Sequence, residues 1–519
     1  MRFIYVFQPT SKLESSLPNE LYQFIFLYLK SSDIVYSFFN LNNRFDCLIY
    51  PFTCAIDLSN LDDRLLHIYS HCILPKIRHN IKTIKLEDKH IDNIFLSNNY
   101  YLNLKSLVFL RTDKKYDKYS SSFLQLFSHL ISLKMIFIDE MFHSDMYSIL
   151  FQNNCRVQTV MVENGGFSRL YNTNFHTCQI KQLKLQLNYQ HEFYFLINRL
   201  PLIEYLYIEL CKGIQNGEQD HYQNHYENIP TLLKLKEFVF CSSEVTNYTY
   251  LELFISLCSN LQHLSLNLAS DQSIDGHRLE QSLLKLSKLI KFNFCIDNPM
   301  TTIHYIETYQ TSYWLENYAI ISFRTSVWRN RQCIFSLPYS FSKFYFGLND
   351  MADYQTNVNY DDILMYSKRN MTEAFFISDN KPFTLKFFQF IKQICGKTTK
   401  LTINSYAVNT RLDDDLMNNN DFVLINVVYL KLSINKLEFK YLKRLLLMTP
   451  NVQQLEMLWT LSMLILDLKT KYYLQLQPIF SRIRHVHIFN YPFDIVELPE
   501  EIKLMFPNAT VNKQYIKFN

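Results

Sequence analysis

The sequence predicts an α/β protein, a short three-helix segment followed by a curved array of repeated strand–turn–helix units. Three observations predict it. A dense apolar pattern at helical spacing fills Leu13 to about Pro51. From about residue 53 a short β-like pattern, apolar-x-x-apolar-x-apolar, recurs every 23 to 32 residues or so. With 519 residues the chain exceeds what one compact core holds, so it needs either several domains or an elongated architecture.

The N-terminal segment is read first. Ser16 precedes the apolar pattern, and Pro18 falls near the first helical position, where its missing N–H costs nothing. Glu20 places negative charge in the first turn, which suits the helix dipole. Leu17, Leu21, Phe24, Ile25, Tyr28 and Leu29 follow at spacings of three and four and form one wide apolar face. Ser31, Ser32 and Asp33 read as a turn with an N-cap. Ile34, Val35, Phe38, Phe39 and Leu41 give a second helix, broken by Asn40, Asn42 and Asn43. Phe45, Leu48 and Ile49 make a third. Three short helices cannot bury this much apolar surface among themselves, so part of it must dock elsewhere.

The β-like pattern comes next. Clear copies are Ile81–Leu86, Leu104–Phe109, Leu133–Ile138, Val157–Val162, Ile180–Leu185 and Ile203–Ile208. Leu235–Phe240, Leu261–Leu266 and Leu289–Phe294 continue the series. Weaker copies occupy Tyr318–Phe323, Phe344–Leu348, Ala374–Ile377 and Leu401–Ile403, and the pattern sharpens again at Val428–Leu432, Val452–Leu458 and Ile483–Ile488. Helical patterns lie between them at Tyr250–Cys258, Leu279–Leu286, Phe383–Ile394 and Phe439–Met448. Several stop at Pro or Asn just before the next strand, as at Ser259-Asn260 and Thr449-Pro450-Asn451. Such units bury their apolar faces by stacking on neighbours, with strands lining a concave side and helices a convex one. An α/β array in two or three separate lobes fits the same periodicity. The polar stretches 213–228 and 411–421 read as surface loops, and 298–366 is the least regular region.

The N-terminal segment resembles an F-box. Leu17-Pro18, Glu20-Leu21, Ile25-Phe26, Tyr28-Leu29, Asp33-Ile34, Asn42-Asn43-Arg44-Phe45 and Leu48-Ile49 carry the resemblance, with Phe45 where the family often has Trp. The remainder resembles the irregular leucine-rich repeats found in F-box proteins, by periodicity more than by consensus, since the usual Asn after the strand is mostly absent. The resemblance implies an F-box domain over 11–52 and a leucine-rich-repeat-like solenoid over 53–519. It further implies that Leu17, Pro18, Leu21, Ile25, Phe26, Leu29, Ile34 and Phe38 contact a Skp-type adaptor, and through it a cullin. A small helical cap that only seals the first repeat is the competing reading of the same residues.

Composition bounds the rest. Gly numbers only 7, which disfavours glycine-rich phosphate loops, and no Gly-x-x-x-x-Gly-Lys, Gly-x-Ser-x-Gly or His-Glu-x-x-His motif occurs. With 36 Tyr and 42 Phe the chain is suited to protein contacts. The net charge of +4 argues neither for nor against a nucleic-acid partner, though the strong basic footprint of such proteins is absent, and nucleic acid is not among the expected partners. The 11 Cys are scattered, with no Cys-x-x-Cys pair, and Cys241, Cys258 and Cys295 sit in apolar runs, as free thiols of a reducing compartment do. No run reaches the roughly 20 apolar residues of a membrane span, and the first nine residues are too short in apolar core for a signal peptide. A cytoplasmic or nuclear location is expected.

His221 and His225 have helical i, i+4 spacing, but they read as part of a solvated loop, as do Asp413, Asp414 and Asp415. Two basic clusters, Lys76/Arg78/His79/Lys82/Lys85 and Arg482/Arg484/His485/His487, read as exposed repeat edges, with phosphate or nucleic-acid binding as the competing use. No metal, cofactor or catalytic residue is expected. The expected function is substrate receptor of a Skp–cullin–F-box ubiquitin ligase, holding a target protein on the repeat surface at positions such as Lys184, Tyr207, His263 and Ser265. The alternative is a non-catalytic leucine-rich-repeat scaffold with no ubiquitin role.

Overall fold

The computed structural model describes residues 17–95, 101–111, 128–143, 150, 155–167, 178–211, 231–299, 305–325, 331–339, 341, 343–347, 354–358, 373–378, 382–394, 398–405, 411–434, 438–458, 477–490 and 506–515. Two compact units make up the chain: Met1–Glu244 with Leu257–Gln262, and Val245–Ser256 with His263–Asn519. Both mix helices with mostly parallel strands, and among the described residues neither contains a closed barrel.

The first unit begins with three short helices, α1 (Asn19–Phe26), α2 (Ser31–Phe38) and α3 (Asn43–Ile49). Pro18 is the N-cap of α1 and Lys30 that of α2, so Ser31–Asp33 forms the first turn of α2 rather than a turn before it. Asn40 ends this part of the chain in the left-handed region at φ 62°, a conformation Asn tolerates well. Its N–H donates to Asp46 Oδ1 at 2.8 Å. Asn42 then caps α3, accepting from the Phe45 N–H at 3.0 Å.

Strands β1 (Ala55–Asp57), β2 (Thr83–Glu87), β3 (Ser106–Arg111) and β4 (Ser132–His143) follow in the same unit. After them come β5 (Thr159–Phe167), β6 (Gln182–Leu187), β7 (Tyr205–Leu210) and β8 (Glu237–Thr246), the last two residues of β8 belonging to the second unit. Each pairs in parallel with the next in chain order. The register stacks like on like. Ile84, Leu107, Leu133, Val160, Leu183, Leu206 and Phe238 face one another in a single row, and all are buried. The apolar-x-apolar alternation explains this directly, because successive side chains of a strand point to opposite faces. Ahead of the strands, the N–H groups of Lys105, Ile131, Gln158, Lys181, Glu204 and Lys236 donate to the carbonyls of Lys82, Lys105, Ile131, Gln158, Lys181 and Glu204 at 2.7–2.9 Å. The repeat length is therefore 23 to 32 residues, the spacing read in the sequence.

An asparagine device accompanies this step. Asn103 Nδ2 donates to the His79 carbonyl at 2.6 Å, and Asn260 Nδ2 to Leu233 at 2.5 Å. In the second unit Asn451 bonds Ile425 and Asn508 bonds Ser481, both at 2.8 Å. Each amide satisfies a carbonyl at the corresponding turn of the preceding repeat. It stands before the strand, not after it, so a search for Asn after the strand misses it.

The second unit breaks the repeat. β9 (His263–Ser270) is parallel to β10 (Lys291–Pro299). β11 (Ala319–Thr325) and β12 (Arg331–Leu337) then form an antiparallel pair, with β12 antiparallel to β10 as well. β12 is thus the strand of opposite direction, and it sits between β10 and β11, so the weak copy at Tyr318–Phe323 keeps the direction of β10 but is separated from it, which accounts for the irregularity after Asn298. The two-residue strand β14 (Gln355–Thr356) pairs antiparallel with β11. A separate seven-stranded sheet is parallel throughout. Its strands are β13 (Lys343–Gly347), β15 (Glu373–Ser378), β16 (Lys400–Ser405), β17 (Tyr429–Ile434), β18 (Gln454–Leu458), β19 (His485–Asn490) and β20 (Thr510–Tyr515).

The stretch 411–421 is not simply a loop. Asp413 caps a short helix, Asp414–Asn418, accepting from the Leu416 N–H at 2.8 Å, and Leu416 is buried. Arg444, itself buried, donates Nε to the Leu416 carbonyl at 2.9 Å and Nη2 to those of Asn419 and Phe422. One guanidinium therefore serves three carbonyls that the short helix and its exit leave open.

Arg331 and Asp297 form an ion pair across β12 and β10, Nε to Oδ2 at 2.8 Å. Burial pushes the Asp297 carboxyl up to about 6, against the opposing pull of Arg331. Because this lies above the unfolded value of 3.8, the native state binds more protons between those limits, and the group's contribution to stability grows as pH falls through that window. The Tm of the wild type minus that of Asp297→Asn is expected to rise as pH is lowered from about 7 to about 5. A difference that stays flat or falls contradicts the assignment.

Candidate partner-binding surface

The three N-terminal helices close around an aromatic core of Tyr22, Phe26, Ile34, Phe45, Leu48 and Ile49, with Leu17, Phe38, Phe39 and Phe52 packed against it. Tyr22 meets Phe45 edge-on at 5.0 Å, and Phe26 lies 5.0 Å from Phe38 and 5.5 Å from Phe52. Arg44 ties the entry to this core. Its Nε donates to Asn19 Oδ1 at 2.8 Å, its Nη2 donates to the Leu17 carbonyl, and the guanidinium lies 5.5 Å from the Tyr22 ring centre. On its other flank the segment meets the first repeat. Tyr69 Oη donates to the Ser32 carbonyl, and Lys76 Nζ lies 5.8 Å from the Phe39 ring centre.

The core uses Tyr22 and Phe26, an i, i+4 pair, as the inner stripe of α1. The apolar face read in the sequence is the other stripe, and it is left open. Leu21, Phe24, Ile25, Leu27, Tyr28 and Leu29 are 44–75% exposed, and Tyr36, Leu41 and Tyr50 are exposed as well. Among the described residues these nine are half of all eighteen exposed large apolar side chains, although they fall within thirty consecutive positions. Single exposed apolar residues are ordinary; a crowd of them marks an interaction surface. Phe24 and Tyr28 already pair edge-on at 5.3 Å, so part of the patch is ordered in advance.

The residues assigned to adaptor contact divide accordingly. Leu21, Ile25 and Leu29 are exposed, as is Pro18, and Leu17 and Phe38 are half-buried. Phe26 and Ile34 are interior, at 1% and 0% exposure, so neither offers a contact surface and both support the face from behind. Phe24, Leu27 and Tyr28 were outside that contact set and belong to the patch. Phe24 and Tyr28, three residues after Leu21 and Ile25, were in the apolar face read in the sequence, whereas Leu27 falls outside that spacing.

In each unit the outward positions of the strands are polar and largely self-paired. Lys85 bonds Asp57 at 2.7 Å, Lys134 bonds Glu163 at 2.9 Å, and Lys431 bonds Glu456 at 3.2 Å. Burial alone would raise Asp57, but Lys85 and Ser59 together hold it below the ordinary carboxylate value. Lys184 Nζ lies 4.9 Å from the Tyr207 ring centre, and Asn293 Nδ2 donates to Ser265 Oγ at 3.2 Å. Lys184, Tyr207, His263 and Ser265 are each partly exposed on their strands.

The remaining candidates separate clearly. His221 and His225 lie outside the described residues. Asp413 is committed to its helix cap and to the Leu385 N–H at 3.2 Å. The first basic cluster is dispersed, since Lys85 pairs with Asp57 while Lys76 faces Phe39. The second is gathered: Arg482, Arg484 and His485 border one cleft, with His487 further along β19. None of the ten described cysteines is in a disulfide, and burial raises Cys178 and Cys258 to about 12, which keeps both as thiols. Among the described residues no helix is long and apolar enough to cross a membrane. The chain matches no known family model and no curated protein.

Proposed function

We propose that this chain is the substrate-recognition subunit of a Skp–cullin–F-box ubiquitin ligase. In this reading residues 11–52 are an F-box that binds a Skp-type adaptor, and residues 53–519 are a leucine-rich-repeat-like solenoid that holds a target protein. The observation that carries the reading is the exposed stripe of Leu21, Phe24, Ile25, Tyr28 and Leu29 above a well-formed aromatic core. A segment that folds so tightly on one side while leaving such a stripe open is built to be covered. The chain performs no bond chemistry here. It raises the local concentration of a target lysine near a charged ubiquitin-conjugating enzyme held elsewhere in the complex.

The contact of Ser32 and Phe39 with the first repeat favours a second reading, a helical cap on a plain scaffold. A cap explains the buried side of the segment and leaves its open side without a purpose. Co-purification of the full chain with a Skp-type adaptor separates the two. The ubiquitin reading expects a stoichiometric complex that is lost on Leu21→Asp/Ile25→Asp and kept on Leu284→Asp, an exposed leucine of the second unit. Absence of any complex with the unmutated chain removes the ubiquitin reading.

A further inference from the structure

The N-terminal ends of β18, β19 and β20 meet in the second unit. A cleft of about 640 Å³ opens there, bordered by Gln453, Arg482, Arg484, His485, Asn508 and Thr510, with Asn451 and Ser481 completing the rim. No lining residue is acidic. Two arginines, a histidine and a ring of amide and hydroxyl groups converge on one volume.

Repeat chemistry does not account for these charges. Arg482 stands three residues before its strand, as Asn103, Asn260 and Asn451 do before theirs. It does the same work, donating Nη1 to the Pro450 carbonyl at 3.1 Å, as those asparagines donate to their carbonyls. A neutral amide suffices in three other repeats, so the positive charge is surplus to the structural task. The same guanidinium reaches Asn451 Oδ1 at 3.2 Å, which fixes its plane at the rim and leaves further N–H groups for a ligand. Arg484 occupies the position just before the strand that Lys236 occupies in the first unit. Lys236 is neutralised there by Glu204 at 2.8 Å. The corresponding neighbours of Arg484 are Gln453 and Ala509, neither of them charged. Among the described residues no carboxylate pairs with Arg482, Arg484 or His485.

We propose that this cleft binds a phosphomonoester, held by Arg482 and Arg484 with His485 and the surrounding amides and hydroxyls. A dianion matches two forked guanidinium groups better than a carboxylate does, because each arginine can engage two of its oxygens. The volume exceeds that of a bare phosphate and accommodates the group that carries it. The phosphate therefore belongs to a phosphorylated side chain of a partner or to a small phosphorylated molecule. A nucleic-acid backbone fits less well: it needs a basic track, and the edge becomes neutral at Gln453 and Ala509 on either side of Arg484. The proposal stands on the second unit alone and does not depend on adaptor binding by the N-terminal helices.

Calorimetry on the full chain tests it with four probes: a capped glycine–phosphoserine–glycine peptide, its unphosphorylated form, glycerol phosphate, and a short thymidine oligonucleotide. The expected result is saturable binding of the phosphopeptide or glycerol phosphate and none of the unphosphorylated peptide. Preference between the two monoesters identifies the source of the phosphate. Arg482→Asn/Arg484→Gln should weaken that binding about 100-fold, roughly tenfold for each charge-assisted contact. The thermal midpoint should hold, since Asn is the ladder residue of other repeats; Arg484→Gln alone, an exposed change, guards against misfolding. No binding of either monoester, undiminished binding by the variants, or tighter binding of the oligonucleotide overturns the proposal.

Discussion

Trp314→Ala is expected to lower the unfolding free energy of the second unit by about 3–5 kcal/mol. Trp314 is fully buried on the short helix Ser312–Asn317. Its ring lies 4.9 Å from that of Tyr309, 5.1 Å from Tyr313, 5.4 Å from Tyr318 and 5.9 Å from Phe294. Truncation leaves a cavity walled by rigid rings that cannot collapse to fill it. The indole N–H also donates to the Gly276 carbonyl at 3.1 Å. Gly276 is packed just as tightly, since a Cβ there would lie 2.4 Å from the Thr308 carbonyl oxygen. Trp314→Phe keeps most of the ring volume and should recover most of the loss, short of the hydrogen bond, worth about 1 kcal/mol. Denaturant unfolding of both variants measures this, and equal losses for Ala and Phe would show that packing is not what the ring supplies.

Leu21→Asp/Ile25→Asp is expected to weaken adaptor binding more than ~30-fold, since truncating one central anchor of an interface already costs about 2 kcal/mol. The same change should leave folding intact, because Leu21 and Ile25 are 48% and 44% exposed and outside the aromatic core. Phe26→Ala reverses the pattern. It removes a ring in contact with Phe38 and Phe52, so it should unfold the segment and lose binding as a consequence. Circular dichroism beside a binding titration distinguishes a lost contact from a lost fold.

The parallel strands of the first unit were legible because their signal is local. Alternation of apolar and polar residues states both the strand and its buried face, and the repeat length states the pairing order. The helix Phe439–Met448 likewise begins and ends where its pattern does. Elements that depend on distant partners were not legible. The place of β11, one strand removed from β10, is set by the reversed strand β12 between them and not by its own apolar run. β20, with the sequence TVNKQY, carries no leucine pattern and is held by in-register pairing with β19. The turn at Asp414–Asn418 depends on Arg444, some thirty residues later. In the N-terminal segment the apolar stripe was legible but its direction was not. Both stripes of α1 are apolar, and only the aromatic partners Phe38, Phe45 and Phe52 decide which one turns inward.

Amide hydrogen exchange on the full chain, with and without a Skp-type adaptor, tests the central claim most directly. The account predicts new protection concentrated in residues 17–50, strongest over Leu21–Leu29, with the strands of both units unchanged. Protection that fails to appear there, or that appears on the repeat strands instead, would contradict it.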